Sequence, residues 1–188
     1  MRSTMAAAPS LSSSIGRAAR GFTLIELLTT VVVAAVLLAV AGPGLADFVR
    51  SSRLSGAQSE LVSSMMLARS EAAKRGREVQ LIATSGANGT DFSGGWVVGW
   101  DKNGNGSIDT ANGSDEVIRS YPPPAVGVQI CANAAAAAVR FAATGFLTPA
   151  VRVQFDVCDK NKGYLVSLEP VGLADVKPAP ACAQGCPP

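Results

Sequence analysis

The chain opens with a long apolar stretch that precedes two different periodic patterns. No charged side chain occurs between Leu27 and Ala46, a run of twenty residues. At a helical rise of about 1.5 Å per residue this run spans roughly 30 Å, which is the thickness of a bilayer hydrocarbon core. The run therefore predicts a membrane-spanning helix. Pro43, which lies between two glycines near the end of the run, predicts a kink.

After the apolar run, hydrophobic residues recur at spacings of three, four and seven. The predicted apolar face consists of Leu54, Ala57, Leu61, Met65, Ala68 and Ala72. The predicted polar, solvent-facing side consists of Arg53, Ser59, Glu60, Arg69, Ser70 and Lys74. This pattern indicates an amphipathic helix, and we expect one helix from about Phe22 to about Arg75. Gly76 is expected to cap it, and we interpret the Met65–Met66 pair as core packing.

Beyond Gly76 the hydrophobic period changes to two, which is typical of strands. The predicted strands cover residues 78–83, 95–100, 116–121, 126–130, 139–141, 151–158 and 164–168. Turn residues separate them, the run Ala134–Ala138 is interpreted as an irregular loop tip, and the tail after Gly172 shows no regular pattern. The predicted fold class is α+β, with a long N-terminal transmembrane and amphipathic helix packed on an antiparallel β-sheet head.

Composition excludes several classes of function. The chain contains no histidine, so that histidine-based catalytic triads and histidine-ligated metal centres are excluded. It also shows no phosphate-binding loop and no pair of acids on a rigid element, and we therefore expect neither an enzyme nor a cofactor. The 16 basic and 14 acidic residues give a net charge of +2. This balance does not indicate nucleic-acid binding.

The segment before the apolar run is polar and basic, with arginines at positions 2, 17 and 20 and no acid. This bias predicts a cytoplasmic N-terminus, although Arg50 and Arg53 follow the run and weaken the bias. The alternative is a secretory signal peptide cut after an A-x-A site such as residues 39–41. The apolar run is longer than the roughly 7–15 residues of such a peptide and continues past that site, which favours a permanent anchor.

One acid, Glu26, lies at the start of the apolar run, where a carboxylate costs about 2.5–3.5 kcal/mol on insertion scales. The surrounding sequence GFTLIELL resembles the leader site of type IV pilins and pseudopilins. This resemblance implies that a prepilin peptidase cuts between Gly21 and Phe22, and that Phe22 becomes N-methylated. In a filament, the Glu26 carboxylate could pair with the Phe22 amine of a neighbouring subunit and set the axial register. The alternative is that Glu26 only snorkels to the membrane interface.

Together these features predict five segments along the chain. Residues 1–21 form a leader peptide, residues 22–46 a transmembrane helix, and residues 47–76 an amphipathic helix that continues into the head. Residues 77–170 form a periplasmic β-rich head, and residues 171–188 a tail that contains proline and cysteine.

Three further stretches resemble the GspH/FimT family of minor pseudopilins. They read RLSGAQSELVSSMMLARSEAAKRGREVQL, GGWVVGWDKNGNGSIDTANGSDEVIRSY and VRFAATGFLT. The resemblance implies a minor pseudopilin of the type II secretion system, located in the tip of a pseudopilus that is anchored in the bacterial inner membrane and drives protein export across the outer membrane. The alternative is a minor pilin that primes type IV pilus assembly. The implied partners are other pseudopilins or minor pilins, the prepilin peptidase and inner-membrane lipid.

Some pilus-side members of this family bind DNA through an arginine-bearing G-R-x-R motif. The corresponding stretch here, Val171–Val176, contains no arginine, and Lys177 is the only basic residue from Gly163 to the end. Removal of the leader also takes three arginines and no acid, which leaves 13 basic and 14 acidic residues. Because a phosphate-binding strip needs several basic residues, no nucleic-acid partner is expected.

The residues Asp101, Asn103, Asn105 and Asp109 follow the ligand order of an EF-hand calcium loop. The twelfth position is Asn112 instead of the expected glutamate, and helices do not flank the loop. We therefore favour a long β-hairpin connection, in which Asn-Gly supplies a positive φ, over a weak calcium site.

Four cysteines, Cys131, Cys158, Cys182 and Cys186, lie in the C-terminal third of the chain. Their even number predicts disulfides in an oxidising compartment, in agreement with a periplasmic head. Three pairings are possible. We prefer Cys158 with Cys182, which leaves Cys131 for Cys186, because a Cys182–Cys186 bond would close only a small loop.

Overall fold

The computed structural model describes residues 21–85, 89–108, 115–133 and 138–182, with the side chains of residues 40–43 outside this description. These residues form the helix α1 (Leu24–Arg75) and eight strands. The strands are β1 (Val79–Ser85), β2 (Asp91–Trp100), β3 (Glu116–Tyr121), β4 (Gln129–Ala132), β5 (Val139–Phe141), β6 (Val153–Cys158), β7 (Gly163–Leu168) and β8 (Ala174–Ala179). The α+β class predicted from the sequence is confirmed.

The chain divides into two compact units, Met1–Leu45 and Ala46–Pro188. The described part of the first unit is a short irregular segment followed by the first part of α1. The second unit contains the rest of α1 and all eight strands. The buried core therefore belongs to the second unit.

The helix α1 ends where the sequence predicts. Gly76 has a φ of 62°, which is a left-handed conformation that glycine adopts without a steric penalty. The Arg77 N–H donates to the Ala72 carbonyl oxygen at 3.3 Å, as in the Schellman arrangement of a helix C-terminus. Lys74 and Arg75 lie in the last turn, where positive charge complements the helix dipole.

The strands form one antiparallel sheet. Its order is β5-β1-β2-β4-β6-β7-β8, and β3 also pairs with β2. The strand β2 is ten residues long, so that β3 and β4 pair with different parts of it. Trp96 lies opposite Tyr121 of β3, and Asp91 lies opposite Cys131 of β4. Because β2 and β3 are consecutive strands that pair antiparallel, the segment between them is a hairpin connection.

The core lies between the head portion of α1 and the sheet. All six residues of the predicted apolar helix face are at most 5% exposed. The sheet contributes aromatic rings, with Phe92 edge-on to Phe155 and Trp96 stacked on Tyr121, both at a centroid distance of 5.2 Å. Burial of this apolar face against the sheet is what fixes the amphipathic half of α1.

Several local predictions differ from the structure by one or a few residues; the strand predicted at residues 151–158, for example, begins at Val153. Met66 is 38% exposed, whereas Met65 is buried, because neighbouring helix residues point about 100° apart and only one of them can face the sheet. The strand predicted at residues 126–130 begins instead at Gln129. Gly127 adopts a φ of 91° and the Val128 N–H donates to the Ala125 carbonyl oxygen, which together form a turn.

The tail after Gly172 contains regular structure that the sequence prediction missed. Residues Ala174–Ala179 form β8, in register with β7 from Leu168↔Ala174 to Gly163↔Ala179. The strand contains Pro178, which has no N–H to donate, but among the described strands β8 lies at the sheet edge, where proline is tolerated. The strand β2 is also longer than predicted, since it starts at Asp91. Most of the predicted loop tip, residues 134–137, and all but the last residue of the leader lie outside the described residues.

With α1 divided at residues 40–43, no single described helix is long and apolar enough to cross a membrane. One bent pair, Leu24–Ala39 with Gly44–Arg75, passes the same test by length and composition. Pro43 lies between these segments, but its side chain is outside the described residues. The proline kink therefore stays a prediction.

Candidate assembly site

The predicted cleavage site immediately precedes the first helix. Gly21 and Phe22 lie before α1, and the Phe22 residue is 77% exposed. Thr23 acts as the N-cap, because the Glu26 N–H donates to its hydroxyl oxygen at 3.3 Å. The sequence analysis did not identify this cap, although the spacing Thr-x-x-Glu is the signature of a capping box. The cap fixes the start of the helix at Leu24. Phe22 and Thr23, the first two residues of the proposed processed chain, lie directly before it.

The first part of α1 is apolar on every side. Leu24, Ile25, Leu27 and Leu28 are between 53% and 82% exposed. Because successive residues turn by about 100°, these four leave open the side on which Glu26 lies, and Val33 and Leu37, at 58% and 63% exposed, cover that side farther along the helix. Such a helix requires lipid or other helices around it. Glu26 is exposed among them, and its carboxylate has no hydrogen-bond or ion-pair partner within the described chain. The pairing of Glu26 with a neighbouring subunit stays a prediction.

Hydrogen bonds lock the head portion of α1 to the sheet and its loops. The buried Trp96 Nε1 donates to the Ser64 hydroxyl oxygen at 2.9 Å, and Arg69 Nε donates to the Gly145 carbonyl oxygen at 3.1 Å. Gly172 has a φ of 77°, and a Cβ there would lie 2.5 Å from the Gly145 oxygen. The loop containing Gly145 therefore fits only because position 172 has no side chain.

Arg75 links the end of α1 to β3. Its guanidinium donates to Glu71 at 2.9 Å and also to the Glu116 carboxylate. The hydrogen bond to Arg75 is the main reason that the pKa of Glu71, and likewise the pKa of Glu116, lies below its ordinary value. The same two carboxylates raise the pKa of Arg75, Glu116 contributing most. This end of the helix is thus held by charge as well as by its glycine cap.

The cysteines hold the C-terminal part of the head. Cys158 at the end of β6 is bonded to Cys182, which follows β8, across a separation of 24 residues. This is the preferred pairing. Cys131 is also disulfide-bonded, and Cys186, its expected partner, lies outside the described residues.

The acidic loop is built as the hairpin connection that we favoured. Asp101 accepts the backbone N–H groups of Gly104 at 2.6 Å and Gly106 at 2.8 Å, and Asn105 accepts that of Ser107 at 2.9 Å. These oxygens shape the turn. Asp109 lies outside the described residues, and no cluster of three or more metal-ligating His, Cys, Asp or Glu occurs in the described part of the chain. Calcium binding stays an untested alternative.

The stretch that corresponds to the DNA-binding motif forms the β7–β8 turn and the start of β8. The nearest cation in the sequence, Lys177, pairs with Asp175 at 2.9 Å. In space, Arg69 Nε would lie 3.1 Å from a Cβ at Gly172, and it donates to the Gly145 carbonyl oxygen. The adjacent side chains Val171 and Leu173 are apolar and about half exposed. The expectation that no nucleic acid binds here stays a prediction.

Two family models match the chain. The model described as type II transport protein GspH matches residues 57–172, and the model described as a prokaryotic N-terminal methylation motif matches residues 16–42. A comparison with the curated proteins gave no match.

Two crystal structures of the type IV minor pilin FimU from Pseudomonas aeruginosa strain PAO1 are similar to the chain, each at 24% sequence identity. The first, in space group P21, has a TM-score of 0.58 and covers 70% of this chain and 92% of FimU. The second, in space group P65, has a TM-score of 0.54 and covers 66% and 92%. At this identity the likeness establishes the fold, which is that of a type IV pilin head on a long helix. Because the GspH model also covers more than half of its length, the chain belongs to the GspH family of type II transport proteins.

Proposed function

We propose that the chain is a minor pseudopilin of the type II secretion system. In this role it is a structural subunit and not an enzyme. It sits in the tip of a short filament that is anchored in the bacterial inner membrane, with its N-terminus first in the cytoplasm and its head in the periplasm. The family description as a type II transport protein supports this machine, and the disulfide at Cys158 supports an oxidising compartment for the head.

The observation that carries the proposal is the exposed start of α1. Its apolar side chains need surrounding lipid or helices, and the Glu26 carboxylate has no partner within the described chain. Cleavage after Gly21 creates a new charged amine at Phe22, and N-methylation keeps that charge. When helices of several subunits pack, this amine and the Glu26 carboxylate of a neighbour neutralise each other in a medium where either charge alone is costly.

Processing by a prepilin peptidase is the first step of this mechanism. The N-terminal methylation motif matches residues 16–42, which include the proposed cleavage site. Because the cut precedes the apolar run, the helix stays attached to the head as an anchor. Intact-mass measurement of the purified protein should therefore give a chain that starts at N-methylated Phe22. A chain that starts after Ala41 or Ala46 would show that a signal peptidase had removed the helix.

A type IV minor pilin is the second candidate function. The specific observation in its favour is that FimU, the similar solved structure, is described as a minor pilin of type IV pili. Deletion of the gene distinguishes the two functions. Loss of secreted proteins from the medium, with surface pili intact, would support a role in the type II secretion system. Loss of pili with normal secretion supports the pilus.

The Glu26→Gln substitution tests the assembly mechanism. It keeps the size of the side chain and removes its charge, so that the protein should insert into the membrane normally but fail to restore secretion in a deletion strain. The matched control is Glu60→Gln, which removes a charge from the head portion of the same helix. Secretion equal to that of the unmodified protein with Glu26→Gln would show that the charge pair is not required.

A further inference from the structure

A cleft of about 280 Å³ lies in the second unit, between α1 and two loops of the head. Arg50 and Arg53 line it from the helix, and Lys160 and Asn161 line it from the turn between β6 and β7. Val126 and the residues after it complete the wall from the loop between β3 and β4. Segments far apart in the sequence thus meet around one opening.

Positive charge dominates this opening. Arg53 and Lys160 form no ion pair with any described residue, and Arg50 makes only an exposed pair with Asp47 at 3.6 Å. Lys162, beside the cleft, donates to the Ser51 hydroxyl oxygen at 2.8 Å.

One acid also lines the cleft. The Asp159 oxygen Oδ1 accepts the backbone N–H groups of Asn161 at 2.7 Å and Lys162 at 2.9 Å, and it is thereby tied to its own turn. Among the described residues, Asp47 is the one acid recorded as an ion-pair partner of these four cations, and Asp159 is the one acid that lines the cleft. The cleft therefore suits an anionic ligand.

The position of the cleft along α1 indicates which anion it meets. Arg50 follows Ala46, the last residue of the charge-free run, by four residues, which is about 6 Å along a helix. Phe48, between them, is 69% exposed, and Val126 at the cleft is 93% exposed. Exposed apolar side chains beside basic ones are typical of surfaces that lie at a membrane interface.

We propose that this cleft binds the phosphate of an anionic phospholipid headgroup, with Arg53 and Lys160 as its principal contacts. The inference rests on the proposed membrane anchoring of α1, since that anchoring brings Arg50 and Arg53 to the level of the headgroups. Lipid binding there would hold the base of the head against the membrane before the subunit enters the filament. A soluble phosphate would use the same two cations but would gain nothing from Val126 and Phe48.

Native mass spectrometry of the processed full-length protein tests the proposal directly. The protein, in an uncharged detergent, is titrated with dioctanoyl phosphatidylglycerol and, separately, with dioctanoyl phosphatidylcholine. We expect tighter binding of the phosphatidylglycerol, and a loss of affinity of about fivefold for each basic residue removed, as for basic residues at anionic membranes. Lys160→Gln should therefore lose part of the preference, and Arg53→Gln/Lys160→Gln most of it.

The matched control is Lys74→Gln/Lys102→Gln. It removes the same total charge from the opposite end of the head, because Lys74 lies 21 residues beyond Arg53, or about 31 Å along the helix. The control should keep the phosphatidylglycerol preference. An equal loss in the control would show a general effect of net charge and would overturn the cleft as the site.

Three further results would overturn the proposal. They are equal affinity for the two lipids, displacement of phosphatidylglycerol by equimolar glycerol 3-phosphate, and cleft-dependent binding of a DNA duplex in place of lipid. The first two would reject a lipid site, and the third would assign the cleft to nucleic acid. The proposed function is tested separately from this cleft. Retention of the same variants in the membrane fraction reports on anchoring, and the secretion assay with Glu26→Gln reports on assembly.

Discussion

Ser64 is one of the two buried polar residues of the described chain, the other being Gln80. Its hydroxyl donates to the Leu61 carbonyl oxygen at 2.7 Å and accepts the indole N–H of Trp96. Ser64→Ala leaves that buried N–H without an acceptor, which should cost about 1–3 kcal/mol of unfolding free energy. Urea unfolding of the protein in detergent, followed by tryptophan fluorescence, measures this loss.

Ser70→Ala is the natural control for that substitution. The Ser70 hydroxyl also donates to the carbonyl oxygen three residues earlier, at 2.9 Å, but no tryptophan donates to it in the described structure. Its replacement should change the unfolding free energy by less than about 0.5 kcal/mol. Equal losses for the two variants would mean that the Ser64–Trp96 bond contributes nothing.

The charged groups around Arg75 predict how stability depends on pH. Because Arg75 lowers the pKa of Glu71 and of Glu116 from the ordinary 4.5, the folded state binds fewer protons than the unfolded state near that pH. Their contribution is complete above the unfolded pKa and is lost as the pH falls through the lower folded values. We expect the thermal midpoint to fall below pH 4.5, and to fall less steeply in Glu71→Gln/Glu116→Gln. Parallel pH curves for the two proteins would contradict this assignment.

Among the elements, β8 is expected to depend on a covalent link. It is the last described strand of the sheet, and Cys182 beyond its end is bonded to Cys158 in β6. In the chain-entropy model, closing a loop of this length contributes about 3 kcal/mol. Cys182→Ser should therefore lower the unfolding free energy by about that amount, and it should speed hydrogen exchange in β8 but not in β1 and β2. Ala181→Ser is the control, and unchanged protection of β8 in Cys182→Ser would refute its dependence on the bond.

An element could be predicted from the sequence when the pattern that specifies it is contained in a few neighbouring residues. The buried face of α1 could be read from residue spacing because helix periodicity is set within a few turns. The strand β8 could not, because its alternation of Ala174, Val176 and Pro178 with Asp175 and Lys177 is weak and contains a proline. Only its edge position, which is a property of the whole sheet, makes that sequence acceptable as a strand.

The same reasoning separates the two functional surfaces. The N-terminal site could be proposed from the sequence because Gly21, Phe22 and Glu26 lie in one contiguous motif. The basic cleft was not, because Arg53, Val126 and Lys160 come together only through packing of the helix with two distant loops. No local pattern in the sequence signals that meeting.

For the molecule as a whole, the location of the core predicts an independent head. Every described buried hydrophobic residue lies at or after Leu54, within the unit Ala46–Pro188. A chain of those residues, exported to the periplasm, should be monomeric and should melt at nearly the temperature of the full-length protein in detergent. Gel filtration and circular dichroism measure both properties. Aggregation, or a much lower midpoint, would show that residues 24–45 contribute to folding of the head.

The edges of the sheet determine how copies of this protein can polymerise. Strand-to-strand addition needs a row of free N–H and C=O groups, and in the described sheet β3, β5 and β8 each pair with one neighbouring strand and so present such a row. The strand β3 carries the charged residues Glu116 and Arg119. The strand β5 has three residues, which is too short to template another chain. The strand β8 has the charged Lys177 and a proline without an N–H at position 178. Uncontrolled cross-β growth is thereby suppressed at high local concentration. In the proposed function, subunit contacts would be made instead by the start of α1, which prepilin-peptidase cleavage would expose.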